Sequence, residues 1–411
     1  MFLIVNIIAI PILIGIAYLF SMDKKAIDWR SVLTIVGLML VLAWFFNKFT
    51  IGQDIIKGAA SGFAWLIAVA NQGIAFALPD WLTANHGGPN FVTSALLPIL
   101  LVVPMFDILT YIGVLPWIIK WVGRGLSFIT RQPKFEAFFS VEMMFLGNTE
   151  VLAVSKAQLN RMSAQRNLTL AMMSMSCVTA SVLGAYTKMI PGQYVLMAVP
   201  LNILASIVFT AILNPVQLDP SEDVIVNEST EEGHQREPFF SFFSFLSNSI
   251  LGAGKLILII TATVIAFVGL AALIDQLLGL TGFHWLKLEK IIGVVMFPFA
   301  WLLGFNPADA FNLSQLMGLK LVTNEFVVMG QISKSIMAGT GLFHNPHAVA
   351  VTAVFLTSFA NFGTLGMIIG AFKGLTGKKV NDLISSQAGY LMLSGILVSL
   401  LAAATAGIFV W

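Results

Sequence analysis

The chain has 411 residues, of which 58% are hydrophobic and only 10% charged, with 33 phenylalanines and a mean hydropathy of +0.89. This composition excludes a soluble domain and describes an all-α protein that crosses a membrane several times. The formal net charge of +2 and the scatter of basic residues over short loops exclude a nucleic-acid partner, and the single cysteine, Cys177, excludes an internal disulfide.

Apolar stretches able to cross a hydrocarbon core of about 30 Å are predicted near 2–20, 31–46, 93–119, 168–190, 194–213, 251–279, 348–370 and 386–411, eight in all. The first, "FLIVNIIAIPILIGIAYLF", has no basic residue before it and no small-residue cleavage site after it, so it reads as a retained span. Lys24, Lys25 and Arg30 follow the first span, Lys120, Arg124, Arg131 and Lys134 the third, and Lys373, Lys378 and Lys379 the seventh. These loops are expected on the cytoplasmic side, with both termini outside. Residues 58–119 contain no Lys or Arg, which suits an outer loop around "PDWLTANHGGPN". The acidic stretch 214–238 is expected to be a poorly ordered loop that divides the chain. After it, "FFSFFSFLSNSI" and "HWLKLEKIIG" read as interfacial helices.

Two apolar regions, 135–166 and 293–335, are broken by Gly, Pro, Asn, Ser and charge. Backbone interrupted at membrane depth must be buried in protein or line a cavity, so both are predicted to be re-entrant helical hairpins. They also resemble each other. The first carries "GNTEVLAV" with Glu150, the second "VTNEFVVM" with Glu325, and each precedes a span with a polar, small-residue centre, "SCVTASVLGAY" and "SFANFGTLGM". Three spans separate the hairpins, so the loop charges place them on opposite sides. That is an inverted repeat, the arrangement that marks a transporter's midplane site.

Structural readings compete with functional ones. Thr179, Ser181, Gly184 and the glycines of 363–374 suit close helix packing. Asp107, Asp275, Lys188, Lys255 and Glu142 suit an inter-helix pair or a snorkelling end as well as a functional role. Glu150 and Glu325 do not, because a carboxyl at mid-membrane costs several kcal/mol and usually faces a substrate or ion path. Enzyme signatures are lacking: "GAGKLI" around Lys255 only resembles a phosphate loop, and no metal-ligand cluster is present. An intramembrane enzyme with two carboxylates and a channel are the rival classes.

"FLGNTEVLAVSKAQL", "LVTNEFVV" and "SFANFGTLGMIIGAFKG" resemble the signature regions of the concentrative nucleoside transporter family, in its bacterial nucleoside permease branch, and the resemblance covers essentially the whole chain. It implies a secondary active transporter of the bacterial inner membrane that imports nucleosides by cation symport without a cofactor. It further implies elevator-type alternating access, with a homotrimer set in lipid. In these terms 1–134 would hold scaffold helices and an interfacial helix, 135–213 the first transport repeat, 214–292 the acidic loop, interfacial helices and a scaffold helix, and 293–411 the second transport repeat. Carried over by the resemblance, Gly147, Asn148, Thr149 and Glu150 contact the nucleobase, Asn324 and Glu325 bind the ribose hydroxyls, and Phe359, Asn361 and Thr364 complete the substrate site. The cargo implied is uridine, cytidine, thymidine or adenosine.

Two departures qualify the match. Asn148 stands where Gln is usual, one methylene shorter. At two positions where sodium-coupled relatives present side-chain oxygens, this chain aligns Met143 and Cys177, whose sulfurs do not suit a hard cation. Proton coupling is therefore expected over sodium coupling, with Glu150, Glu325 and Glu142 as candidate carriers, since desolvation favours the protonated form of a carboxyl.

Overall fold

The computed structural model describes residues 2–82, 91–216, 223, 239–280, 282 and 287–411. Among them the chain forms α-helices joined by short turns, with no strand. The first half comprises α1 (Phe2–Leu19), α2 (Trp29–Lys48), α3 (Thr50–Ala77), α4 (Pro79–Leu82), α5 (Ile99–Tyr111), α6 (Val114–Thr130), α7 (Lys134–Leu146), α8 (Asn148–Val154), α9 (Lys156–Arg161), α10 (Ala164–Ser174), α11 (Ala180–Met189) and α12 (Gly192–Leu213). The second comprises α13 (Phe239–Gly279), α14 (Leu288–Leu302), α15 (Pro307–Val322), α16 (Glu325–Ala338), α17 (Pro346–Leu356), α18 (Phe362–Leu375), α19 (Lys378–Ser386) and α20 (Ala388–Gly407).

Seven helices among the described residues are long and apolar enough to cross a membrane: Phe2–Leu19, Trp29–Lys48, Thr50–Ala77, Val92–Tyr111, Gly192–Leu213, Phe242–Gly279 and Ala388–Gly407. Six of these correspond to predicted spans. The other two predicted spans, 168–190 and 348–370, are two-piece helices, α10/α11 and α17/α18.

Four boundaries differ from the sequence reading. α3 is a long helix where no element was predicted, because its polar Gln53, Asp54, Lys57 and Gln72 mask an apolar stripe. The expected span 93–119 ends at Tyr111, where Gly113 takes a left-handed conformation (φ 87°) and starts α6. On α6 the exposed Trp117, Trp121 and Phe128 alternate with Lys120 and Arg124, the make-up of an interfacial helix. "FFSFFSFLSNSI" is not a separate interfacial helix: from Phe239 it runs unbroken into the following span as α13. Region 293–335 contains parts of three helices, α14, α15 and α16. The predicted loop segments at 83–90, 217–222 and 224–238 lie outside the described residues, as do 283–286; the rest of the predicted interfacial helix "HWLKLEKIIG" is not separate but opens α14 at Leu288.

The repeat seen in the sequence is present in the element order. In each half two helices pack side by side (α6 with α7, α14 with α15) and a sharp elbow leads into a shorter helix (α8, α16). A two-piece helix and a long buried helix (α12, α20) follow. The halves interlock: α8 packs on α18, and α16 on α11. At the centre lies Gly395 of α20, where an added Cβ would stand 2.9 Å from the Cβ of Ala360 and 3.1 Å from that of Met175. The breaks of both two-piece helices therefore meet against one glycine. α12 is 89% buried over its apolar window and α13 only 11%, so the repeats form the core and α13 lies at the periphery.

Candidate functional site

Each break and elbow exposes backbone groups that a continuous helix would satisfy, and the second half fills them with asparagine side chains. At the second elbow Asn324 Oδ1 accepts from the Val327 N–H (3.0 Å) and caps α16. At the second break Asn361 Oδ1 accepts from the Thr364 N–H (2.8 Å) and caps α18. These caps bring the start of α16, with Glu325, against the start of α18. Asn361 Nδ2 donates to one Glu325 oxygen (3.1 Å), and the Tyr186 hydroxyl of α11 donates to the other (2.9 Å). Glu325 is 3% exposed. Tyr186 is held in turn by Phe326, ring edge to face at 4.9 Å between centroids.

A cleft opens beside this group. Its walls include Asn324, Glu325, Phe359, Asn361, Thr364 and Thr179, with Leu256, Ile260 and Thr263 of α13 closing one side. One half of the expected site residues is thus assembled in one place: two amides, a carboxylate, a hydroxyl and an aromatic face. Such a wall can accept from vicinal hydroxyls, donate to them and stack on a flat ring.

The residues from the first hairpin are arranged differently. Gly147 has φ 97° and is the elbow between α7 and α8. A Cβ at Gly147 would lie 2.6 Å from Glu150 Oε2 and 2.8 Å from Thr179 Cγ2, so the Glu150 carboxylate folds over the glycine beside the Thr179 wall of the cleft. Glu150 itself is exposed and does not line the described cleft. Of Asn148 and Thr149 only the backbone, the first turn of α8, is described.

Met143 and Cys177 are both buried, and the Met143 sulfur accepts from the Ser174 hydroxyl (3.5 Å) at the end of α10. Glu142, next along α7, is half-buried. Two of the ambiguous acids have structural partners: Asp107 accepts from Ser249 of α13, and Asp275 Oδ1 accepts from the Leu288 N–H (2.8 Å).

The sequence reading missed two buried groups here. Tyr186 closes the quoted "SCVTASVLGAY", where the sequence reading gives it no role. Lys320, a charge inside the apolar α15 five residues before Glu325, carried the signal of any intramembrane ion and was not singled out.

Two interlocked repeats with interrupted helices around a largely apolar cleft edged by Asn324, Glu325, Asn361 and Thr364 define the class as a membrane transport protein. Residues 8–81 and 194–407 match the N-terminal and C-terminal parts of the Na+ dependent nucleoside transporter family. The chain is 42% identical, over 100% of both sequences, to the purine nucleoside transport protein NupG of Bacillus subtilis. It is 26% identical to the nucleoside permease NupC of Helicobacter pylori, covering 98% of this chain and 97% of that one. Its fold matches CNTnw in an inward-facing substrate-bound state with a TM-score of 0.90 at 25% identity, over 100% and 98% of the two chains. A variant of CNTnw in an outward-facing state matches at 0.89 and 24% identity, over 100% and 99%. The chain belongs to the concentrative nucleoside transporter family, among bacterial permeases. It is a multi-pass membrane protein and a transporter, not an enzyme.

Proposed function

We propose that this protein imports purine nucleosides by proton symport through elevator-type alternating access. The observation that carries the substrate reading is Glu325, a buried carboxylate whose oxygens accept from Tyr186 and Asn361 at the edge of the cleft. An acceptor-only group suits two adjacent ribose hydroxyls. In this reading Asn324, Asn361 and Thr364 complete the sugar side, Phe359 stacks on the nucleoside, and Gly147, Asn148, Thr149 and Glu150 reach the base when the first hairpin closes. Of the uridine, cytidine, thymidine and adenosine that the family resemblance suggests, this reading favours the purine. Two things support this: the full-length similarity to a protein named for purine nucleoside transport, and Asn148, whose shorter side chain leaves room for a larger base.

The family description names sodium, and the proton reading departs from it on this chain's own residues. The thioether of Met143 accepts from Ser174, and neither it nor the Cys177 thiol offers the oxygen that a hard cation prefers. With both oxygens of Glu325 serving as acceptors, Glu150 and Glu142 are the better proton carriers. The two repeats, 135–213 and 293–411, would move against a scaffold of 1–134 and 214–292. A homotrimer is supported by the long apolar surface of α13, whose Leu251, Leu258, Ile265 and Leu273 are exposed and face lipid or a second subunit.

Proteoliposomes loaded with the purified protein test this directly. Labelled inosine should accumulate above equilibrium under an inward proton gradient, faster than uridine, with no change when choline replaces sodium. Saturable sodium stimulation at fixed pH and membrane potential would refute proton coupling. Uptake that only equilibrates would indicate a facilitator.

A further inference from the structure

Buried charges persist in proteins when they are paired. Among the described residues, Glu136 and Arg166 form one such pair, with Arg166 Nε and Nη2 at 2.7 and 2.8 Å from the two carboxylate oxygens. Glu325 and Lys320 remain as buried charges of opposite sign. They lie on the two sides of the second elbow, Lys320 near the end of α15 and Glu325 opening α16, and they interact electrostatically.

Lys320 is fully buried. Its ammonium donates to the Phe355 carbonyl (2.7 Å) and lies 4.4 Å from the centroid of that residue's ring. Phe355 is the penultimate residue of α17, so its carbonyl belongs to the last turn, which has no helical N–H partner and carries the negative end of the helix dipole. The neighbouring carbonyl of Thr357 is taken by the Asn202 amide of α12. The break bearing Phe359 and Asn361 is therefore held by two side chains from outside its own helix, and one of them is a cation from the elbow that bears Glu325. Lys320 joins the two segments of the proposed ribose site, the elbow and the break, at their backs.

We propose that Lys320 is a positioning residue for ribose recognition, tying the second elbow to the second break and placing a positive charge behind the site that bears Glu325. This rests on the reading of Glu325 as the ribose carboxylate. It adds that a buried cation on the same elbow is part of that site's framework.

The test is equilibrium binding of inosine and 2′,3′-dideoxyinosine to the full-length protein in nanodiscs, for the wild type, Lys320→Met, Lys320→Gln, Glu325→Gln and the double variant Lys320→Met/Glu325→Gln. Lys320→Met should weaken inosine by on the order of tenfold, leave the dideoxy analogue within about threefold, and add less than about twofold in the Glu325→Gln background, because coupled residues are not additive. Lys320→Gln can still donate to Phe355 but carries no charge, so it should lose the same discrimination. It also serves if Lys320→Met fails to fold. Equal weakening of both ligands by either neutral variant, or multiplying effects in the double variant, would make Lys320 merely structural and overturn the proposal. If Glu325→Gln itself fails to discriminate between the ligands, the ribose reading falls first.

Discussion

The two elbows carry nearly the same letters, Asn-Thr-Glu in the first and Thr-Asn-Glu in the second, yet the glutamates end in opposite surroundings. Glu325 is buried and gripped by Tyr186 and Asn361, while Glu150 is exposed and lies over the glycine of its own elbow. The difference starts in the backbone. The second elbow turns on Thr323 and Asn324, and the asparagine caps the next helix. The first turns on Gly147, whose φ of 97° only glycine holds without strain and which offers no cap. A capped, filled elbow presents a finished acceptor, whereas the uncapped one carries its exposed carboxylate on the first turn of α8. The same contrast appears at the breaks, where Asn361 caps α18 while Thr179 opens α11 with no side-chain cap.

The hairpin arms differ in parallel. The first arm is fixed to α10 by the buried Glu136–Arg166 pair, far from its elbow, and the second to α17 by Lys320, close to its elbow. The largest expected effect follows. Glu136→Gln takes the carboxylate charge out of this buried bidentate pair and should cost about 3–5 kcal/mol of stability by denaturant unfolding in micelles. A loss below about 1 kcal/mol would mean that water reaches the pair and that the first arm is anchored elsewhere.

Glycine substitutions sharpen the comparison at the next level. Gly395→Ala presses on both breaks at once and should destabilise by about 1–3 kcal/mol, lowering uptake of every nucleoside alike. Gly147→Ala meets strain of about 1–3 kcal/mol at a left-handed φ, and its Cβ presses on the end of Glu150 and on the Thr179 methyl. It should therefore alter preference among bases more than Gly395→Ala does. Identical base selectivity in the two variants would break the claim that the first elbow serves the base. The smallest effect is that of Asn324→Ala, about 1 kcal/mol for a lost cap, read as a lower melting temperature.

Much of this was legible in the sequence, because intramembrane polar residues are costly enough to stand out. The two elbows and both two-piece helices emerge from Gly, Asn and Glu in apolar runs, whereas the ribose and base roles come from the family resemblance and belong to the proposed function. What stayed hidden depended on depth and partners. α3 carries enough polar residues to look like a loop, and α13 begins in a Phe-Ser pattern that reads equally as an interfacial helix or the first turns of a span. Tyr186 and Lys320 gain meaning only from Glu325 and Phe355, 139 and 35 residues away in the chain. No local pattern announces such pairs.

The central claim is a division of labour, with the second elbow reading ribose and the first reading the base. The most direct measurement compares Glu325→Gln and Glu150→Gln for binding of inosine, its 2′,3′-dideoxy analogue and uridine. Glu325→Gln should cost inosine about 1.5–3 kcal/mol and spare the dideoxy analogue, because an amide cannot reproduce charge-assisted acceptance from two hydroxyls. Glu150→Gln should leave the ratio of inosine to dideoxyinosine unchanged and narrow the gap between inosine and uridine. If both variants shift the two ratios alike, the carboxylates do not divide the nucleoside between them and the account is wrong.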